Sequence, residues 1–161
     1  MTINPRTHIG HVHLTVSDLD RALSFYRDAL GFEVTARSCP DAVVLSAGGY
    51  HHHIGLNTWA GRGASPPPPG TTGLYHFAIL FADRAALAAA VRQVLEHGIP
   101  LEGASDHGVS EAVYLRDPDG NGIELYRDRP ENEWPRGPDG MIRMHTRPLD
   151  LQALLAEGAS V

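Results

Sequence analysis

The chain has 161 residues, 42% of them apolar, with a formal net charge of -6, enough to bury one ordinary core without staples. Cys39 stands alone and cannot close a disulfide within the chain, and thirteen arginines scattered among nineteen carboxylates argue against an electrostatic grip on nucleic acid. Lysine is absent, which excludes Schiff-base chemistry, and neither a signal sequence nor an apolar run approaching roughly 18 residues is visible, so a cytoplasmic location without membrane contact is expected.

A strand is predicted from His8 to Val16, then a helix that Ser17 can cap, with Asp20 three residues later completing a weak capping box. Leu19, Leu23, Tyr26 and Leu30 give that helix an apolar stripe and Gly31 ends it. Three short apolar segments follow, Phe32 to Ala36, Ala42 to Ala47 and His52 to Thr58, the last two joined by a turn at Gly48-Gly49. This is a βαβββ unit. The run GRGASPPPPG, Gly61 to Gly70, can be neither helix nor inner strand and reads as an exposed connection.

The pattern then repeats. A strand from Leu74 to Phe81 leads into a helix that Asp83 can cap, with Leu87, Val91, Val94 and Leu95 on one face and Gly98 as its stop. Segments at Pro100 to Gly103, Ala112 to Arg116 and Gly122 to Arg127 complete a second βαβββ unit. The Pro-rich tail after Asp128 ends in a short amphipathic helix, Leu149 to Glu157, expected to dock on the outer surface. The expected fold is therefore α+β, with two βαβββ modules. One domain spans 1–161: module one at about 8–58, a linker at 59–71, module two at 72–128 and a tail at 129–161.

Ten histidines point to metal or proton-transfer chemistry. His11 and His76 hold equivalent places, each early in the first strand of its repeat. Glu124 sits in the otherwise apolar run Gly122-Ile123-Glu124-Leu125, and a carboxylate in a buried strand is costly unless paired or metal-bound. Two imidazoles and one carboxylate are the least that a mononuclear iron, manganese or zinc site needs, and three ligands on one face leave positions open for substrate. Strand alternation puts His13 on the face of His11, bordering the pocket, and puts His51 and His53 opposite His52, in a solvated or dimer-facing role. No chemistry is assigned to His8, His97 or His145.

The segments HIGHVHLTVSDLDRALSFYRDALGF, GLYHFAI and YLRDPDGNGIELY resemble the vicinal oxygen chelate superfamily, which includes glyoxalases, fosfomycin-resistance transferases and extradiol ring-cleaving dioxygenases. The resemblance implies that the two modules form a curved mixed sheet around a metal pocket, with metal ligation by His11, His76 and Glu124. SDHGVSEAVYLRDPDGNGIELY resembles the extradiol signature and implies roles for His107 and Tyr114, with Ser105 as a departure from it. YHHHIGLN resembles the segment supplying an acid/base histidine, which falls on His52, and the downstream DRP and EWP elements are similar to catechol-2,3-dioxygenase-like proteins.

Glyoxalases of this superfamily take a fourth ligand, Glu or Gln, from the fourth strand. The corresponding position here is Gly55, and no Asp, Glu or Gln occurs between Ala42 and Ala82. Three protein ligands on an octahedral ion leave room for both oxygens of a catecholate and for dioxygen. The resemblance thus implies ring cleavage of a catechol-type aromatic with Fe(II) and O₂, in a homodimer, with Mn(II), Zn(II) or Ni(II) as alternative metals. Its rivals are a glyoxalase-like isomerase or lyase, an epimerase, an antibiotic-modifying transferase, and a metal-free drug-binding protein. The last strands join through Asp117-Pro118-Asp119-Gly120-Asn121; if Arg116 pairs with Gly122, Tyr114 lies directly opposite Glu124.

Overall fold

A computed structural model describes residues 2–158. The chain divides into two compact units, one up to Pro67 and one from Pro68. Each unit carries its own mixed sheet.

In the first unit the elements are β1 (Val12–Thr15), α1 (Leu19–Leu23) continuing into a π-helical turn (Ser24–Ala29), β2 (Glu33–Cys39), β3 (Ala42–Ser46) and β4 (Ile54–Asn57). The cap of α1 is Asp18, not Ser17: its carboxylate accepts from the Arg21 N–H at 2.8 Å. Ser17 sits one residue too early for that bond, and its hydroxyl oxygen accepts instead from the Arg21 guanidinium at 2.6 Å. The π turn widens the helix, with Leu30 N–H donating to the Phe25 carbonyl. It brings Ala22, Leu23, Phe25, Tyr26 and Ala29 into the core and leaves Leu30 half-buried, which shifts the expected stripe.

The sheet order is β1-β4-β3-β2, with β1 parallel to β4 and the other pairs antiparallel. Strand β4 starts at Ile54, so His51, His52 and His53 lie in the loop before it rather than in the strand predicted from His52.

In the second unit come β5 (Phe77–Leu80), α2 (Arg84–Glu96), β6 (Leu101–Asp106), β7 (Ser110–Arg116), β8 (Gly122–Asp128), β9 (Arg147–Pro148) and α3 (Leu151–Leu155). Its order, β5-β8-β7-β6-β9, repeats that of the first sheet and adds one strand, with β5 parallel to β8 as β1 is to β4. Asp83 caps α2 as expected, and Leu87, Val91 and Val94 are fully buried. Leu95 departs from the expectation: at the rim of the stripe, it is 40% exposed. Among the described residues no helix is long and apolar enough to cross a membrane.

The tail folds onto this unit. β9 pairs antiparallel with β6 through Ser105↔Pro148 and Asp106↔Arg147, at an edge where a proline costs no ladder bond. Helix α3, shorter than predicted and capped by Asp150, packs on α2 with Leu154 fully buried. Arg92 holds its end, donating to the carbonyls of Leu155 and Glu157 at 2.9 Å each. Leu154→Ala should therefore cost about 2–4 kcal/mol, the usual range for a leucine truncated in a packed core. Urea denaturation followed by circular dichroism measures it; a loss under about 0.5 kcal/mol, the size of an ordinary surface substitution, would show the tail helix to be only loosely docked.

Candidate active site

The second unit gathers four of the sequence-predicted residues on one face of its sheet. Parallel pairing sets Phe77 opposite Ile123 and Ala78 opposite Glu124, so His76 enters β5 beside the start of β8. Gly122 permits this approach: a Cβ there would collide with the Tyr75 carbonyl and lie 3.0 Å from the His76 Cβ. The His76 Nε2 stands 2.9 Å from the Glu124 Oε2, with Glu124 only 13% exposed.

The β7-β8 hairpin has the expected register, Arg116↔Gly122 and Tyr114↔Glu124. Asp117 ties the turn, accepting from the N–H groups of Asp119 and Asn121. Tyr114 consequently shares its face with Glu124 and donates to Oε1 at 3.3 Å, while its oxygen lies 2.6 Å from the His107 Nε2. Burial, then the Glu124 charge and hydrogen bond, push the Tyr114 hydroxyl up to about 12. It therefore stays protonated at neutral pH and acts as a donor. Of these groups His76, Tyr114 and His107 line a cleft together with Ser105, Arg116 and Thr146.

The first unit holds a second cluster. His11 immediately precedes β1, as His76 precedes β5, and its ring stacks against His52 with centroids 4.4 Å apart. The His51 and His52 Nδ1 atoms are 2.6 Å apart. The expected opposition of His51 to His52 therefore fails, because these residues lie in a loop where strand alternation does not apply. Partial loss of hydration lowers the basicity of His52, and the neighbouring imidazoles, His11 first among them, lower it further. His53 is turned to the Ser46 hydroxyl, 3.0 Å from its Nδ1.

His13 lies opposite Gly55 in the β1-β4 ladder. Its ring fills the space a side chain at Gly55 would need, with Cγ 2.9 Å from the position of a Cβ. Its Nε2 accepts from the Asn57 amide at 3.0 Å, so that nitrogen has a partner. His8 and His97 lie with Nδ1 against the backbone carbonyls of Arg6 and Gln93.

The candidate ligands are thus divided, His11 in the first unit and His76 with Glu124 in the second. Among the described residues no three His, Cys, Asp or Glu side chains gather as a group that could hold a metal. The pair that does converge, an imidazole nitrogen and a carboxylate oxygen, has the donor chemistry of a first-row divalent cation. Glu111, a buried carboxylate that sequence reasoning passed over, faces the other way. It is 5% exposed and meets Arg84, Arg127 and Arg129 at 3.0–3.1 Å, binding α2 to β8.

With this geometry in place, comparison with known proteins gives the family. Residues 8–125 match the glyoxalase/bleomycin resistance protein/dioxygenase superfamily, and the chain belongs to it. It is 44% identical over 156 residues to a catechol-2,3-dioxygenase of Bacillus subtilis (strain 168), covering 97% of this chain and 54% of that protein. It is 34% identical over 128 residues to biphenyl-2,3-diol 1,2-dioxygenase 3 of Rhodococcus globerulus, covering 80% and 66%. The chain thus spans between half and two thirds of the length of these relatives. A solved lactoylglutathione lyase from Agrobacterium tumefaciens superposes with a TM-score of 0.58 at 28% identity, over 77% of this chain and 96% of that one.

Asp106 closes β6 and braces the turn that carries His107. It accepts from the Gly108 N–H at 2.7 Å and from the Arg129 guanidinium at 2.8 Å. Burial alone would raise its carboxyl; the Gly108 bond and Arg129 outweigh burial and hold it below the ordinary range. A depressed folded value contributes stability above the unfolded value of about 3.9 and loses it as pH falls through the folded one. Asp106→Asn should therefore lower the melting temperature at pH 7, and the gap to the parent should close as pH falls below about 4. A gap of constant size from pH 7 to pH 3 would show that the charge of Asp106 contributes nothing.

Proposed function

We propose that this protein is an extradiol ring-cleaving dioxygenase acting on a catechol-type aromatic with Fe(II) and O₂. The observation that carries the reading is the series of close polar contacts His76–Glu124–Tyr114–His107, of which His76, Tyr114 and His107 line a cleft. The similarity to two proteins named as ring dioxygenases supports it. Gly55 favours it over a glyoxalase-like lyase. In the repeat it occupies the place of Glu124, so the first unit offers no carboxylate for a fourth ligand, and His13 already fills the space.

In this reading His11, His76 and Glu124 hold the ion. Fe(II), when bound, supplies joint binding of the two catechol oxygens and of dioxygen. The Tyr114 hydroxyl, its own proton held by the His107 Nε2 or the Glu124 carboxylate, accepts a hydrogen bond from a substrate hydroxyl. His52 takes and returns the substrate proton; its Nδ1 is engaged with His51, which leaves Nε2 for this work. The protein is placed in the cytoplasm, as a homodimer.

The test is anaerobic reconstitution with Fe(II) followed by a screen of catechols for the yellow ring-opened product. Iron uptake without ring opening of any catechol would overturn the reading. His76→Ala should lose iron and activity together. His52→Gln should keep iron yet slow turnover by about 10²–10⁴, the usual share of a general acid/base residue. Tyr114→Phe should bind iron like the parent and turn over about tenfold more slowly, since it removes one hydrogen bond of roughly 1–2 kcal/mol. Parental turnover in Tyr114→Phe would make the tyrosine structural.

A further inference from the structure

The tail reaches the same face. After β8 it turns at Trp134, whose indole N–H donates to the Arg129 carbonyl at 2.8 Å, and returns through an isolated bridge between Arg136 and Ile142. It then runs past the β6-β7 turn, where the His145 N–H donates to the His107 carbonyl at 3.2 Å, and enters β9. Thr146 lines the cleft.

At this crossing the His107 Nδ1 lies 3.0 Å from the His145 carbonyl oxygen and 3.4 Å from the Thr146 hydroxyl. A carbonyl can only accept, so the proton of that bond belongs to Nδ1. In the neutral ring Nε2 is then the acceptor, and Nε2 is the atom 2.6 Å from the Tyr114 oxygen. The Tyr114 proton consequently has two acceptors in reach, the His107 Nε2 and the Glu124 carboxylate. A ring in the other tautomer would set Nε2–H against the tyrosine oxygen and leave the His145 carbonyl facing a bare nitrogen.

Gly108 is the seat on which this contact rests. With φ at +78° it holds a left-handed turn, and a Cβ there would lie 2.6 Å from the His145 ring and 2.9 Å from Pro135 Cγ. Asp106 clamps both sides, bonded to Gly108 and Arg129 and 3.9 Å from the His145 Nε2.

We propose that the tail segment His145–Thr146 is a wall of the active site and the positioning group for His107, locking it as the Nδ1–H tautomer with Nε2 directed at Tyr114. The inference deepens the dioxygenase reading, and its bearing on ring cleavage rests on that reading. The positioning itself is a property of the second unit alone. His145, which carries no chemistry through its side chain, enters the site through its backbone.

The full chain, labelled with ¹⁵N-histidine and held without metal at pH 8, tests it by nuclear magnetic resonance, with His107→Gln identifying the His107 signals. The expected spectrum shows a pyrrole-like Nδ1 and a pyridine-like Nε2 for His107. Gly108→Ala should push the tail away and turn that signal into a mixture of tautomers. The double variant Gly108→Ala with His145→Ala removes the ring that the new methyl meets, and should restore much of the parental signature, which strain in the turn alone would not allow. A parental Nε2–H tautomer overturns the proposal, as does a Gly108→Ala spectrum like the parent's or a double variant no nearer the parent than the single one. Turnover of catechol by the iron-loaded protein is read separately: its absence in the parent sinks the reaction, whereas the tautomer decides the positioning. In an active parent, Gly108→Ala should lower kcat about tenfold and leave KM within about twofold, the pattern of a lost transition-state contact.

Discussion

The second unit's site depends on one pairing, the parallel contact of β5 with β8. Parallel neighbours cannot be joined by a tight turn, so the chain must leave through α2 and return through the β6-β7-β8 meander before the partner strand arrives. That route brings the entry of the unit beside its last strand. His76, just before β5, then meets Glu124, two residues into β8. A single antiparallel register, fixed by the Asp117–Asn121 turn, adds Tyr114. Everything else in the cluster is hung from these two alignments.

The two units use the same alignment with opposite allocation of bulk. In the first ladder a large side chain on the entering strand, His13, faces a glycine on the last strand, Gly55. In the second a small one, Ala78, faces Glu124. Each pair fills one slot between neighbouring strands, so a carboxylate at Gly55 would require His13 to give way. The repeat therefore constrains composition as well as topology. A ligand can be added to the first module only by exchanging its partner across the ladder.

Much of this was legible in the sequence because it is local. Asp83 before an apolar helix and Gly31 and Gly98 after one are short-range signals, and the proline and glycine of the 117–121 turn set a hairpin register that the structure reproduces. What escaped depends on long-range partners or on the loss of regularity. The strand read from His52 begins instead at Ile54, and in the loop before it the rings of His51 and His53 lie against Tyr50 while that of His52 lies against His51. The two-residue strand β9 has no periodicity to read, and only its pairing with β6 makes it a strand. The choice of Asp18 over Ser17 turned on a one-residue offset that sequence spacing leaves open.

Two carboxylates on opposite faces of the second sheet show how burial separates structure from chemistry. Glu111 and Glu124 are both largely withdrawn from water, at 5% and 13% exposure. Glu111 is met by three guanidiniums, which cancel its charge, anchor α2 and the start of the tail, and use its oxygens as acceptors. Glu124 meets an imidazole and a phenol, partners that can share a proton or donate a bond but carry no fixed positive charge. A carboxylate kept from water beside partners without a fixed charge retains its attraction for a cation, whereas one enclosed by arginines has none to spare. The face that leaves its charge uncancelled is also the face on which Tyr114 and His107 converge and to which the tail brings Thr146.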